Sequence, residues 1–224
     1  LIVKNKIYLG TNQGLFVSPW LSENGNANNN FDFRLIQNSQ GQVWDLSLID
    51  GQLICGHNDG TFIINGDQMQ KISSISGGWT IKKLNSNPNY LIQGTYTGIV
   101  LFKKDAAGNW IFSHKVTGFG EPSRYVEQDN KGDIWVSHAY KGLYKLSLSA
   151  DLKTAKNIQF YDEQNGLPSS FNINMFNVEN KIIFSSDNGF LVYDEISNRF
   201  SKYDVLNKKL GSFSTSNKII NAGV

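Results

Sequence analysis

A single cysteine, Cys55, stands in the whole chain, so no internal disulfide framework and no thiolate zinc cluster can be built. Its neighbours read as a buried strand, which makes Cys55 a small core hydrophobe. No stretch approaches the ~20 consecutive apolar residues that a membrane-spanning helix needs. A basic-then-apolar leader is missing too: the chain opens on Leu1 and residues 1–3 enter a strand at once, as a mature product or a piece of a longer protein does. Charge of one sign is equally scarce. With 21 basic against 19 acidic residues, and no basic stripe interleaved with aromatics, the composition argues against contact with nucleic acid. Helical periodicity is absent from every segment longer than a turn.

What is present suffices for a packed core. Apolar residues make up 40% of the chain and aromatics 12%, which excludes global disorder and allows one large all-β domain or two small ones in 224 residues. One pattern then recurs five times: a strand-like run, a small or polar residue, a short polar turn, a glycine and a new strand. Its copies are Ile7 to Phe16, Leu53 to Phe62, Tyr90 to Ile99, Ile134 to Leu143 and Ile182 to Phe190. The closing glycines Gly14, Gly60, Gly98, Gly142 and Gly189 are 46, 38, 44 and 47 residues apart. A period of this length containing only strands predicts an all-β chain of four-stranded antiparallel propeller blades. Glycine is needed at the turn if the backbone there takes positive φ.

Bounding turns place the strands A to D of each repeat. The second repeat reads 43–49, 52–57, 60–65 and 69–74, with Asp50-Gly51 as a strong hairpin signal. The third reads 79–85, 90–95, 98–103 and 109–116, turning at Asn87-Pro88-Asn89 and at Ala107-Gly108-Asn109. The fourth reads 123–129, 133–138, 142–148 and 157–161, and the fifth 171–178, 181–186, 190–194 and 199–203. Strand B is apolar on both faces (Ile134-Trp135-Val136, Ile182-Ile183-Phe184), as a central strand between neighbouring blades should be. The outer strands, such as Ile158 to Tyr161 and Phe200 to Tyr203, read as alternating. Residues 21–30 form a surface loop between strands C and D of the first repeat. The blades are then 1–37 (incomplete, without a full strand A), 43–74, 79–116, 123–161 and 171–204. Residues 205–224 start a further blade, with Lys218 to Gly223 as part of it. Propellers close as rings, so the expectation is about five blades of a larger propeller.

Two stretches carry a family signature. Gly132-Asp133-Ile134-Trp135-Val136-Ser137 with Lys141-Gly142-Leu143-Tyr144-Lys145-Leu146 resembles the two-component regulator propeller repeat. Tyr161-Asp162-Glu163-Gln164-Asn165-Gly166-Leu167-Pro168-Ser169-Ser170 resembles the Gly-Leu-Pro-Ser connector that precedes strand A in that family. The resemblance covers all five repeats weakly and residues 123–204 well; outside the fourth repeat the copies depart from it, with Cys55-Gly56-His57 and Ser185-Ser186 in place of the usual Gly-Thr. It implies the periplasmic sensor region of a hybrid two-component system or of a related one-component regulator. An oligosaccharide or other small polar molecule is then the implied ligand. The implied partners are the remainder of the propeller, a downstream signalling domain and, in the full-length receptor, a second copy in a homodimer.

Other motifs fall away on inspection. Trp44-Asp45 and Gly56-His57 are the dipeptides of a WD repeat in the wrong order. Ser185 to Gly189 starts like a sialidase Asp box, but Leu191 and Val192 stand where Thr-Trp would complete it. Glycoside hydrolysis needs two carboxylates facing across a cleft. Glu121, Glu127, Asp129, Asp162, Glu163 and Glu179 lie in turns or at strand ends, and only Glu127 can point into a channel. His57, His114 and His138 are dispersed over three repeats. No nucleophile motif, P-loop or dinucleotide fingerprint occurs, so the reading is of a non-enzyme with no catalytic residue, no metal and no cofactor.

The B–C turns and D–A connectors of a four-stranded blade emerge on one face of the disc. That face gathers His57, Asn58, Trp79, Tyr96, Arg124, His138, Tyr140, Phe171 and Asn172. Of these Trp79, Tyr96, Arg124, Tyr140, His57, His138 and Asn172 are the candidate ligand-binding residues, because rings stack on sugar C–H faces while amides and guanidinium bind hydroxyls. The bland alternative packs Trp79 and Phe171 between blades; Trp44, Trp110 and Trp135 read as core. A scaffold propeller that docks proteins, on this face or its outer strands, and a carbohydrate-active enzyme are the competing functions.

Overall fold

The computed structural model describes residues 1–20, 31–138 and 140–216. Among them the chain forms five consecutive four-stranded antiparallel sheets, each a simple meander in sequence order. The strands are Ile2–Val3, Lys6–Gly10, Leu15–Pro19 and Arg34–Leu35 in the first repeat, and Val43–Ile49, Gln52–His57, Gly60–Asn65 and Gln68–Ser73 in the second. The third has Ile81–Leu84, Asn87–Thr95, Gly98–Lys104 and Trp110–Lys115, the fourth Tyr125–Gln128, Ile134–His138, Gly142–Leu148 and Ala155–Tyr161, and the fifth Asn174–Val178, Lys181–Ser186, Gly189–Asp194 and Arg199–Lys202.

The central strands are buried on both faces: Ile134, Trp135 and Val136 are at most 2% exposed, and Cys55 is fully buried in the second repeat. Burial pushes the Cys55 thiol up to about 12, which keeps it protonated and inert. Each core cluster spans neighbouring sheets, as where Leu84 and Ile92 of the third repeat pack with Val126, Ile134 and Val136 of the fourth. Backbone bonds stitch the junctions at one end. Val43 donates to Thr11 O at 2.8 Å, Gly78 to His57 O at 3.0 Å and Ser123 to Thr95 O at 2.9 Å, each time from the entry of one repeat to the end of strand B, or the residue just after it, in the one before. The approach is close enough that a Cβ on Gly56 or Gly94 would collide with the carbonyl oxygen of Gly78 or Ser123.

The five turn glycines do take positive φ, from 98° at Gly142 to 145° at Gly14. The first repeat has four strands, with a strand A of only two residues, short as expected. Other expectations differ from the structure. The A–B turn of the third repeat lies at residues 85–86, with Asn87 paired to Leu84 and a register shift before Leu91, so Pro88 sits in the strand rather than in the turn. The outer strand of the fourth repeat does not alternate strictly, because Ile158 and Phe160 stay 43% and 45% exposed. The connector after it holds a 3-10 turn, Glu163–Asn165, capped by Asp162 and closed by Gly166 in the left-handed region. Beyond Tyr203 the chain forms a helix, Asp204–Leu210, and a 3-10 turn, Gly211–Thr215, where a new blade was expected. The 21–30 loop and the expected strand 218–223 lie outside the described residues.

Candidate functional site

The recurrent turn is built by one side chain that changes identity from repeat to repeat. Thr11 Oγ1 accepts from the Gln13 N–H at 3.0 Å and donates to Gly14 O at 2.9 Å. Thr95 and Ser186 do the same with Thr97 and Gly98, and with Asn188 and Gly189. In the second and fourth repeats a histidine holds that post: His57 Nδ1 accepts from Asp59 N–H at 3.0 Å, and His138 Nδ1 from Tyr140 N–H at 2.9 Å. A neutral imidazole accepting at Nδ1 carries its proton on Nε2. Both rings are therefore turn-builders first, 1% and 5% exposed, and offer a ligand at most their Nε2 side. His57 Nε2 is buried with no hydrogen-bond partner. His138 Nε2 lies 3.6 Å from the Glu121 carboxylate, and burial holds its pKa below the ordinary value.

At each junction a connector residue meets the B–C turn of the repeat it enters. Glu121 meets His138, and the Asn172 amide donates to Asp187 Oδ1 at 2.9 Å. The most elaborate junction lies between the second and third repeats. Trp79 packs edge-on to Tyr96 with centroids 4.8 Å apart, and Trp44 stands edge-on to both, at 5.8 Å from Trp79 and 6.3 Å from Tyr96. Trp44 Nε1 donates to the Tyr96 hydroxyl at 3.0 Å, which donates onward to Asn58 Oδ1 at 2.8 Å. Gly77 lies flat under the Tyr96 ring, where any Cβ would collide with it. Trp79 itself is only 8% exposed, and its Nε1 is buried without a partner.

The candidate residues thus fall into separate groups. Trp79, Tyr96 and His57 belong to the second and third repeats, and Thr80 Oγ1 ties this group to the next connector through Arg124 O at 3.2 Å. Arg124 itself lies 5.4 Å over the Tyr125 ring. His138 and Tyr140 form a second group, with Tyr140 69% exposed, and the exposed Asn172 a third, with Asp187. Trp44, read as core, is half-buried and joins the first group; it sits beside Val43, where the connector becomes strand A, and that position was the signal for it. Trp110 and Trp135 are buried, as read.

The opposite end, where A–B and C–D turns emerge, holds cavities. One of about 410 Å³ lies between the fourth and fifth repeats and is lined by Asp129, Asn130, Trp135, Asn180, Tyr193 and Glu195 among others. Beside it Lys145 is held by Asp133 at 3.2 Å, Glu195 at 3.5 Å and Asp129 at 3.8 Å, under the rings of Trp135 and Tyr193. Glu127, on the inner strand of the fourth repeat, is buried and paired with Lys82 of the third. No group of three or more metal-ligating side chains occurs among the described residues.

No family model matches the sequence, and no curated protein matches it. Among solved structures, the fold is similar to one described as the extracellular domain of a one-component system from B. thetaiotaomicron. Identity is 15% and the TM-score 0.58, over 84% of this chain and 26% of that one. A protein from Lactobacillus plantarum aligns at 14% identity and TM-score 0.56, over 88% of this chain and 65% of its own. A luciferin-regenerating enzyme aligns at 8% identity and TM-score 0.48, over 88% and 72%. The chain spans about a quarter of the first structure and less than two thirds of the second. At these identities the likeness is one of fold, all-β and propeller-like, and a fold hosts many functions. The first of these structures is of the kind that the propeller repeat in residues 123–204 resembles.

Proposed function

We propose that this chain is the ligand-sensing module of a bacterial extracytoplasmic signalling receptor of the two-component or one-component type. It contributes five blades of a larger β-propeller and performs no catalysis. The ligand is an oligosaccharide or similar polar molecule, bound where the B–C turns and D–A connectors emerge. One observation carries the site: Trp44, Tyr96 and Asn58 from two repeats are joined by a hydrogen-bond relay, and Trp79 packs edge-on against both rings with its buried Nε1 donor unpaired. Buried donors without partners are costly, and a polar ligand that reaches one repays that cost. No helix among the described residues is long and apolar enough to cross a membrane.

Calorimetric titration of the protein with neutral and anionic oligosaccharides tests this, comparing wild type with Trp44→Ala, Tyr96→Ala and Arg124→Ala. Loss of a stacking ring should weaken binding by about 1–3 kcal/mol. Unchanged affinity in all three variants means that the ligand uses another surface.

A second reading, a scaffold that docks a protein partner at the same end, has its own support. Tyr140 and Phe171 are 69% and 60% exposed there, and Phe213 of the 3-10 turn after the last blade is 74% exposed. Binding of a protein partner lost in Phe171→Ala and Phe213→Ala, with no response to any sugar, would favour it.

A further inference from the structure

The cavity between the fourth and fifth repeats does not end at its own walls. It shares Asp129, Asn130 and Asn180 with a neighbouring cavity of about 310 Å³, which in turn shares Asn85, Gln128 and Asn177 with a third of about 290 Å³. The three form one groove across the A–B turns of the third, fourth and fifth repeats. It runs from the Lys82–Glu127 pair on the inner strands to Trp135 and Tyr193 further out. Each cavity alone is near the lower bound of a small-molecule site; joined they suit an extended ligand.

The groove is lined by amides. Gln128 builds it: its Nε2 donates to Ser86 Oγ and to Gly132 O at 3.0 Å, and its Oε1 accepts from Ser86 N–H at 2.8 Å, which locks two A–B turns side by side. Asn130, Asn177 and Asn180 project from the same turns and strand as exposed side chains, and no hydrogen bond among the described residues engages their amides. Charge is neutralised at both ends. Glu127 is taken by Lys82, and Asp129 and Glu195 by Lys145, with Lys131 also on Glu195. Glu179 and Lys181 add one charge of each sign to the outer cavity, so an ion of either sign meets charge like its own. Neutral donors and acceptors along the floor, with the half-buried Tyr193 ring as an apolar wall, match a chain of hydroxylated rings.

We infer that this groove, at the end opposite the sensing face, is a second binding site and takes a neutral, extended polyhydroxylated chain such as a linear oligosaccharide of uncharged sugars. It stands whether or not the other end senses a ligand.

Side-chain amide and indole resonances of the isotope-labelled protein test it, with maltoheptaose and xylohexaose as neutral probes, spermine as the cation and a sulfated disaccharide as the anion. At least one neutral probe should shift the Asn130, Asn177 and Asn180 amides saturably. Asn130→Ala and Asn177→Ala, both exposed and without left-handed backbone, should each weaken that binding about fivefold, the worth of one neutral hydrogen bond. Trp44→Ala should leave it unchanged, so failure here is separable from failure at the sensing face. Shifts confined to Trp44 and the Asn58 amide, shifts of the groove with spermine or the sulfated probe alone, or no shift of the groove amides with either neutral chain would overturn the inference.

Discussion

Asn207 clamps Phe190 by both of its backbone polar groups: Asn207 Oδ1 accepts from the Phe190 N–H at 2.8 Å, and Nδ2 donates to Phe190 O at 2.9 Å. A side-chain amide thus imitates a paired strand at the start of strand C in the fifth repeat, beside Gly189, whose missing Cβ would lie 2.8 Å from Asn207 Oδ1. In the second, third and fourth repeats the glycine at this post packs against the backbone carbonyl of Ser73, Phe119 or Tyr161. The helix Asp204–Leu210 buries no residue, so this clamp is its principal anchor. Asn207→Ala should lower stability by about 1–2 kcal/mol, and Asn207→Asp by at least as much, since a carboxylate cannot donate to Phe190 O. The urea midpoint at constant m-value reads this; a change within ~0.3 kcal/mol would show that the clamp contributes nothing.

Gly60 and Gly51 both have positive φ, 132° and 75°, in the same sheet. A Cβ at Gly51 meets nothing within 4 Å, whereas one at Gly60 would collide with Ser73 O. Gly51→Ala should therefore cost about 1 kcal/mol of backbone strain alone. Gly60→Ala should cost ~3 kcal/mol or more, because backbone must move to admit it. Equal thermal midpoints for the two variants would show that the second repeat yields easily at this junction.

Strand bounds were legible where a turn residue fixes them: 43–49 and 52–57 follow from Asp50-Gly51, and 142–148 from Gly142. The later A strands were read too long, as at 123–129 against Tyr125–Gln128, where the Ser123 N–H bonds to Thr95 O of the preceding repeat instead of to its own sheet. Local pattern cannot tell a junction bond from a ladder bond. The helix at 204–210 was illegible because seven residues with no buried face carry no period. At the site, Trp79 and Tyr96 were legible as neighbours through connector logic. Trp44 was not, since its aromatic character fits a core position equally well. The amide groove was missed because its residues come from three repeats and the amides along its floor are neither aromatic nor catalytic by type.

His138 predicts a pH dependence with a definite sign. Burial lowers its folded-state pKa, outweighing the nearby Glu121 carboxylate, so the unfolded chain binds the proton more readily. Its contribution is complete above the unfolded value of about 6.5 and is lost as pH falls through the lower folded value. Protonation also removes the Nδ1 lone pair that accepts from Tyr140 N–H. Thr11 and Thr95 perform the same turn-building with a hydroxyl. His138→Thr should therefore keep most of the stability at neutral pH while removing this acid-side slope from a stability–pH profile. An unchanged slope would place the proton uptake elsewhere.

Glu127 should act in a lower window with the opposite sign. Desolvation raises its pKa, although Lys82 pulls it down, because the carboxylate is buried on the inner strand while the lysine stays 41% exposed. The folded state then binds the proton more readily than the unfolded chain, so this group's contribution is full below the unfolded value of about 4.3 and declines as pH rises through the raised folded value. Glu127→Gln keeps the shape, removes that decline and should cost little at neutral pH. Lys82→Ala leaves a buried carboxylate without its cation and should cost on the order of 1–3 kcal/mol, less than a fully buried pair because Lys82 is solvated. Adding Glu127→Gln to Lys82→Ala should restore most of that loss, since the penalty lies in the unpaired charge and not in lost packing. A double variant no more stable than Lys82→Ala alone would show that the lysine acts through its aliphatic stem instead.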